Sequence, residues 1–369
     1  MHIKNNALSH TVTVTGYASG GEGVARLDNG KTVFIRGAAR GDTLEVALVS
    51  ERQRSAVAKI VRIIEPAPCR INPDCPYYPD CGGCDFRHIS YEEELDAKLR
   101  RVNDAIARIG GSVVCADRIM TTGIIGGYRN KAVFHDSGSG HGFYRPGSRE
   151  VVPVDRCLLL KDELNEALKH LPPGGETTLR SGRYGTNQPL EEELDGLVFK
   201  IKGFFQVNTG AALLLFNKAR EYAALSKNDS LLDLYCGVGA LTLFIGRDAG
   251  YALGVEQNPL AVKTAKTNAR MNGFDHIEFE GADVASFNRN GFQPDCIIVD
   301  PPRAGLSAEV VIKLAALSPQ RIIYVSCDPA TLARDIKFLN NYSLKDISVV
   351  DMFPRTANVE CCCLLLKAE

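Results

Sequence analysis

Ser230-Leu-Leu-Asp-Leu-Tyr-Cys-Gly-Val-Gly239 decides the fold class. Its apolar start predicts a strand holding an acid at Asp233, and Gly237 and Gly239 make a turn into a helical stretch. The pattern then repeats, with strands predicted at 230 to 236, 251 to 256, 277 to 282, 294 to 300, 321 to 327, 347 to 352 and 359 to 366. Strands alternating with helices imply an α/β fold built on a doubly wound parallel sheet. Only a short loop separates the last two strands, so the seventh must run antiparallel to the sixth. Its first residues, Glu360 among them, therefore lie at the edge of the sheet where the other strands end.

Open α/β sheets bind ligands at that edge. Cys327 closes the strand Arg321-Ile-Ile-Tyr-Val-Ser-Cys327 and precedes Asp328-Pro329 and a helix, a setting that favours a thiolate nucleophile. A small buried thiol is the commoner fate of a cysteine. The glycine turn after Asp233 resembles motif I of class I S-adenosylmethionine-dependent methyltransferases, and a dinucleotide-binding fold competes for the same residues. Glu256, at the end of strand two, suits a ribose diol in both. Strand four separates them: Ile297-Ile-Val-Asp300-Pro-Pro-Arg303 resembles the methyltransferase motif beside the reacting methyl group, for which a dehydrogenase has no evident use. Amino methyltransferases also carry Asp-Pro-Pro, usually followed by an aromatic; here Arg303 follows. A pyrimidine C5 is not nucleophilic until something adds at C6, so its methylation needs a nucleophile and then a base to remove the C5 proton. Cys327 and Glu360, on one sheet edge, suit those two roles.

Residues 8 to 65 read as strands punctuated by glycines and by Asp28-Asn29-Gly30, a hairpin signal. They predict a five-stranded barrel of the OB type. Nine Lys or Arg against six Asp or Glu in residues 1 to 65 make this end mildly basic, which suits single-stranded RNA and equally a structural module. A Pro- and Cys-rich connector follows, from Pro66 to Cys84. A helix is predicted from Ser90, with Glu93 completing a capping box, Leu95, Leu99, Val102, Ile106 and Ile109 forming its apolar stripe, and Gly110 ending it. Residues 112 to 202 read as mostly β. There Tyr128-Arg-Asn-Lys131 and His141-Gly-Phe-Tyr-Arg145 interleave cations with aromatics, as a base-stacking surface or a solvated hairpin does. Tyr128, Arg129, Lys131, Phe143, Tyr144 and Arg145 are thus the RNA-contact candidates.

With a net charge of −1, any RNA surface must be a local patch. No apolar run approaches the roughly 20 residues of a membrane span. Met1-His2-Ile3-Lys4-Asn5-Asn6 lacks the apolar core of a signal peptide, so the cytoplasm is expected. Twelve cysteines in such a chain point to metal binding or catalysis rather than disulfides. Cys75, Cys81 and Cys84 lie among glycines and prolines that let the chain wrap one object, for which an iron–sulfur cluster or zinc is open. Cys361, Cys362 and Cys363 alternate faces on a strand and read as structural.

Gly203-Phe-Phe-Gln206-Val-Asn208, Asp233-Leu-Tyr-Cys-Gly-Val-Gly239, Asp300-Pro-Pro-Arg-Ala-Gly305, Val325-Ser-Cys-Asp-Pro-Ala-Thr331 and Asp351-Met-Phe-Pro354 together resemble the RNA (uracil-C5)-methyltransferase family, over nearly the whole chain. The resemblance implies a class I Rossmann-like catalytic domain at 203–369, an OB-like TRAM barrel at 1–66, and a small, mostly β central domain at 67–202 holding a [4Fe–4S] cluster. It implies that the helix at 91–109 packs on the catalytic domain. Cys327 becomes the nucleophile and Glu360 the base. Gln206, Tyr235, Gly237, Gly239, Glu256, Asp283 and Asp300 contact S-adenosylmethionine, with Asp283 at the adenine. Cys75, Cys81, Cys84 and Cys157 hold the cluster, which is expected to be structural because uracil methylation has no redox step; Cys69 falls outside the matched motif. The domain make-up points to 23S rRNA as substrate, with tRNA or an inactive RNA-binding chaperone as alternatives, and to a monomer. The family commonly has histidines where this chain has Arg355 and Asn358, so the ionisation of Glu360 and its contacts are expected to differ.

Overall fold

The computed structural model describes residues 9–186 and 190–368; the stretch Met1 to Asn6 lies outside them. The first unit is a six-stranded sheet of β1 (Ser9–Thr13), β2 (Gly16–Tyr17), β3 (Gly23–Arg26), β4 (Thr32–Ile35), β5 (Thr43–Glu51) and β6 (Ser55–Glu65), in the order β1-β5-β6-β4-β3-β2. The Thr15 N–H donates to the Val24 carbonyl (2.8 Å), which returns the chain after β1 to β3 and closes the sheet around Val12, Val33, Ile35, Leu44 and Val46. The sixth strand, absent from the sequence expectation, is two residues long and too short to leave an alternating pattern. Asn29-Gly30 turns β3 into β4, with Gly30 at φ +81°.

Helix α1 (Tyr91–Arg108) begins where expected, with the Ser90 side chain accepting from the Glu93 N–H. The reciprocal half of the capping box does not form, because the Glu93 carboxylate takes the Arg40 guanidinium instead (2.7 Å). The buried face also differs. Leu95 and Leu99 are half-buried and Ile109 is exposed, whereas Glu94, Lys98, Val102 and Ile106, each four residues apart, are buried. An i, i+4 row is a single helix face, and here tertiary partners pull two charged residues into it. Val102 and Ile106 share one apolar core with Leu332, Ala333 and Ile336, so α1 packs beneath the large sheet.

The chain then adds β7 (Ile119–Met120) and a four-stranded sheet in the order β10-β9-β8-β11, from β8 (Lys131–Asp136), β9 (His141–Tyr144), β10 (Val151–Pro153) and β11 (Glu176–Arg180), with α2 (Asp162–Leu168) against it. The hairpin β12 (Glu191–Leu194) and β13 (Leu197–Lys200) places Leu194, Leu197 and Phe199 in the same core as Leu215 and Phe216 of α3 (Thr209–Ala223). Residues before 203 therefore share the core of the last unit.

That unit alternates β14 (Ser230–Leu234), α4 (Ala240–Gly246), β15 (Tyr251–Glu256), α5 (Pro259–Met271), β16 (Ile277–Gly281), β17 (Cys296–Val299), α6 (Ala308–Leu317), β18 (Arg321–Ser326), α7 (Pro329–Phe338), β19 (Tyr342–Val350) and β20 (Glu360–Lys367). Its eight strands run β16-β15-β14-β17-β18-β20-β19-β7. The first five are parallel, and β20 is antiparallel to both neighbours. The eighth strand, β7, comes from residues assigned on sequence to the middle of the chain and pairs parallel with β19. Cys361 and Cys363 face one core and Cys362 the other, the alternation expected of strand neighbours. Among the described residues no helix is long and apolar enough to cross a membrane.

Candidate active site

Five parallel strands deliver their carboxyl ends to one edge, and β20 starts there. In the β18–β20 ladder Ser326 and Cys361 are the outermost pair, so Cys327 and Glu360 are the residues next to it at the edge. Asp300 directly follows β17 alongside, and Arg303 comes three residues later. Cys327 is half-buried and Glu360 buried.

Electrostatics ties these groups together. Burial pushes the Cys327 thiol up, the Glu360 carboxylate adds to this, and Arg303 opposes it. Burial, then Asp300, holds the Glu360 carboxyl well above the usual carboxylate range, again against Arg303. Burial alone pushes Asp300 up to about 7. Cys327, Glu360 and Asp300 thus converge, with Arg303 as the cation that opposes the shifts of the first two. The expectation that a helix end would favour the Cys327 thiolate is not met. Asp328 caps α7 and its carboxylate already accepts from the Ala330 and Thr331 N–H groups (3.0 and 2.9 Å), so the helix amino terminus is satisfied before the thiol can draw on it.

The neighbouring strand ends line a narrow cavity of about 60 Å³, with Phe205, Gln206, Asp233, Tyr235, Gly237 and Asp300 in its wall. Tyr235 is at φ +71°, a left-handed backbone that a bulky side chain rarely adopts. Gly237, at φ +55°, has open space where a Cβ would be, so its backbone is bare to a ligand. Gly239 is different: a Cβ there would lie 2.7 Å from the Phe279 ring, so its role is packing. Glu256 currently accepts from the Gly237 N–H (3.1 Å) and the Asn258 N–H (2.8 Å), bracing the turn. Asp283 is exposed after β16. Asp233 is buried with one oxygen on Thr242 (2.5 Å) and the other without a partner, and burial pushes it up to about 8.

Several residues that the sequence did not single out hold this edge. Asn130 and Arg180 donate to the Gln206 carbonyl, and Arg180 also to that of Phe205 (3.0 Å). Arg101 of α1 donates to the Ala357 carbonyl (2.9 Å) and lies 3.9 Å from Asp328. The only trace of Arg101 in the sequence was its place one position beyond the apolar row.

Cys75, Cys81, Cys84 and Cys157 line one cleft of about 390 Å³, which also reaches Thr356 and Asn358. Arg87, buried, donates to the Cys84 sulfur (3.2 Å), and the Gly83 N–H points at that of Cys81 (3.4 Å). Among the described residues no three metal-binding side chains close to the spacing of a single ion. Cys69 lies apart, in a separate apolar group with its thiol toward the Arg40 carbonyl (3.5 Å).

Two RNA-contact candidates are otherwise engaged. Tyr128 is buried and donates its hydroxyl to the Pro354 carbonyl (2.9 Å); Phe143 packs on Phe134 with ring centres 5.1 Å apart. Phe143 turns inward because alternate residues of a strand face opposite sides, and Tyr128, outside any strand, is drawn in by the segment its hydroxyl holds. Tyr144 remains exposed, stacked on His135 at 3.9 Å. Arg129 donates to the Lys131 carbonyl (3.0 Å) and both are half-buried. Arg145 is paired with Asp80 and Glu150. Arg355, expected to affect the base, points away from it into α1, donating to the Ile89 carbonyl (3.1 Å). Asn358 does face the site and accepts from Arg303 (3.2 Å).

Residues 197–368 match the family described as tRNA (Uracil-5-)-methyltransferase, and residues 10–61 match the TRAM domain. A protein of Clostridium tetani named as an uncharacterized RNA methyltransferase is 30% identical over 97% of this chain and 96% of its own length. The chain belongs to the RNA (uracil-5-)-methyltransferase family. A second member, from Gloeobacter violaceus and similarly named, is 31% identical over 97% of this chain and 96% of its own. The solved Pyrococcus abyssi tRNA (uracil-54, C5)-methyltransferase, in complex with S-adenosyl-L-homocysteine, superposes with TM-score 0.79 and 25% identity over 96% of this chain and 100% of that one. The alignment to the Clostridium tetani protein runs over 443 positions against 369 residues here, so that family member carries internal stretches this chain lacks.

Proposed function

We propose that this family member transfers a methyl group from S-adenosylmethionine to C5 of a uridine in 23S rRNA, giving 5-methyluridine. The convergence of Cys327 and Glu360 at the outer end of the β18–β20 ladder, with Asp300 near both, carries the reading. The Cys327 thiolate adds to C6, and the C5–C6 electron pair moves into an enolate. Bound S-adenosylmethionine supplies an electrophilic methyl group, which C5 takes. Glu360 then removes the C5 proton, the S–C6 bond breaks, the ring double bond re-forms and the thiolate leaves. A carboxylate whose acid form is this strongly favoured by burial is a strong proton acceptor once ionised. The cavity at Gly237, Tyr235 and Gln206 is the proposed cofactor cleft, with Glu256 turning from the Gly237 N–H to the ribose and Asp283 to the adenine.

The structure of the Pyrococcus abyssi tRNA enzyme favours tRNA as a second reading. This chain covers all of that tRNA enzyme, so domain organisation does not separate the two substrates. Methyl transfer from labelled S-adenosylmethionine to unmodified 23S rRNA and bulk tRNA in parallel, with nucleoside analysis, decides. Label in 5-methyluridine of 23S rRNA is expected; label only in tRNA moves the substrate, and label in neither overturns the reading.

We also propose that Cys75, Cys81, Cys84 and Cys157 hold a [4Fe–4S] cluster, which would cross-link the connector to the segment before α2 and supply no redox step. Iron and acid-labile sulfide near about four each per chain are expected after anaerobic purification, and Cys84→Ser is expected to lower both. One zinc and no sulfide would remove the cluster.

A further inference from the structure

The segment that leads into Glu360, residues 351 to 358, is held almost wholly by other elements. The Asp351 N–H donates to the Met120 carbonyl of β7 (2.9 Å), and Asn208 donates to the Met352 carbonyl (3.1 Å). Tyr128 holds the Pro354 carbonyl, and Asp85 accepts from the Ala357 N–H (3.0 Å). Beneath them lies a buried charge cluster. Lys98, 1% exposed, spends its three N–H bonds on Glu94 (2.7 Å), Asp351 (2.6 Å) and the Phe353 carbonyl (3.1 Å). Glu94 also accepts from the Arg355 N–H (2.7 Å) and lies 3.7 Å from the Arg355 guanidinium, so two cations face two carboxylates. Tyr91 donates to the second oxygen of Asp351 (2.6 Å).

Well-packed apolar residues of similar volume often stabilise such a site as well as buried ion pairs do, so stability alone is weak ground for the cluster. What charges with fixed partners add is a single geometry. Arg355, at φ +69°, shows the segment held in a backbone state that persists only when its surroundings over-determine it.

We propose that Lys98, with Tyr91 and Asp351, is a positioning residue for the proton-removal step: it fixes the 351–358 segment and so the place of the Glu360 carboxylate. This rests on Glu360 being the base. Cys327 follows directly on β18, whose ladders with β17 and with β20 are made by strand backbones outside the 351–358 segment. Loosening the segment therefore separates two steps that share one site, leaving attack and methylation intact while slowing release.

The test pairs Tyr91→Phe with the double variant Lys98→Met/Asp351→Asn, which removes one cation and one anion and leaves Arg355 opposite Glu94. Each is compared with Glu360→Gln in single-turnover methyl transfer and in the amount of denaturation-resistant protein–RNA adduct. Single-turnover transfer near that of the unaltered protein is expected, with accumulated methylated adduct and multiple turnover reduced, up to on the order of 10²-fold in the double variant. A purely structural role would lower all readouts together, and that result overturns the proposal, as does release at the normal rate. Should the double variant fail to fold, Tyr91→Phe decides alone. Adduct in Glu360→Gln but in neither other variant overturns the positioning role only. Absence of adduct in Glu360→Gln overturns the base reading and this proposal with it.

Discussion

Cys327→Ala is expected to abolish methyl transfer while RNA is still bound, a loss on the order of 10⁴-fold or more, the scale seen when an essential nucleophile is removed. Without a thiol at C6 there is no enolate and C5 has no electron pair to offer. No other thiol is placed to replace it: Cys361, the next residue along the ladder, is fully buried in the apolar core, and Cys236 is buried in the cofactor-side wall. Labelled methyl transfer and a filter-binding assay on the same RNA read the two halves of the expectation, and full methylation by the variant would sink the covalent route. The pH dependence follows from the same surroundings. Burial and the Glu360 carboxylate raise the Cys327 thiol above its ordinary value, so its thiolate fraction keeps growing past the usual thiol range of about 8.5. The rate of adduct formation should accordingly climb through neutral pH into the alkaline range. A plateau already reached near pH 6 would show that bound RNA and Arg303 lower the thiol far more than its neighbours raise it.

That Cys327 and Glu360 share one sheet edge was legible in the sequence because it depends only on strand direction, whereas the insertion of β20 between β18 and β19 was not. A seventh strand with no helix before it has one direction available, and direction alone puts Glu360 at the same edge as Cys327. The glycine turn was legible for a similar reason, since Tyr235, Gly237 and Gly239 all take positive φ within five residues. What stayed hidden depends on contacts between distant segments. Lys98 and Asp351 are 253 residues apart, and no local pattern distinguishes a lysine that will be buried between two carboxylates from one on a solvated face. The same holds for β7, whose two residues join the edge of the large sheet across more than two hundred residues of chain. Tyr128 erred in the other direction. Beside Arg129 and Lys131 it reads as part of a base-stacking strip, yet its ring is buried and its hydroxyl holds the segment that leads to Glu360.

Glu360→Gln is expected to leave attack and methylation in place and to stop the reaction one step later, with methylated RNA still bonded to Cys327. The amide keeps the size of the carboxyl group at a position with no room to spare, 6% exposed, so the fold should tolerate it. Where Glu360 is ionised the amide removes a charge that raises the thiol, and where it is protonated the amide is its neutral counterpart, so adduct formation should be no slower than in the unaltered protein. The amide does not accept the C5 proton, however, and until that proton leaves, the S–C6 bond has no electron pair to displace it. Turnover should fall by about 10²–10⁴-fold, the usual contribution of a positioned general base. Protein and labelled RNA should migrate together under denaturing conditions at close to one methyl per adduct. Asp300 lies close enough to raise the Glu360 carboxyl, and it is the candidate if the variant releases product normally. In that case Asp300→Asn, rather than Glu360→Gln, should trap the adduct, and the excess of acid over base around Arg303 would be a reserve of proton acceptors rather than a single base and its neighbours.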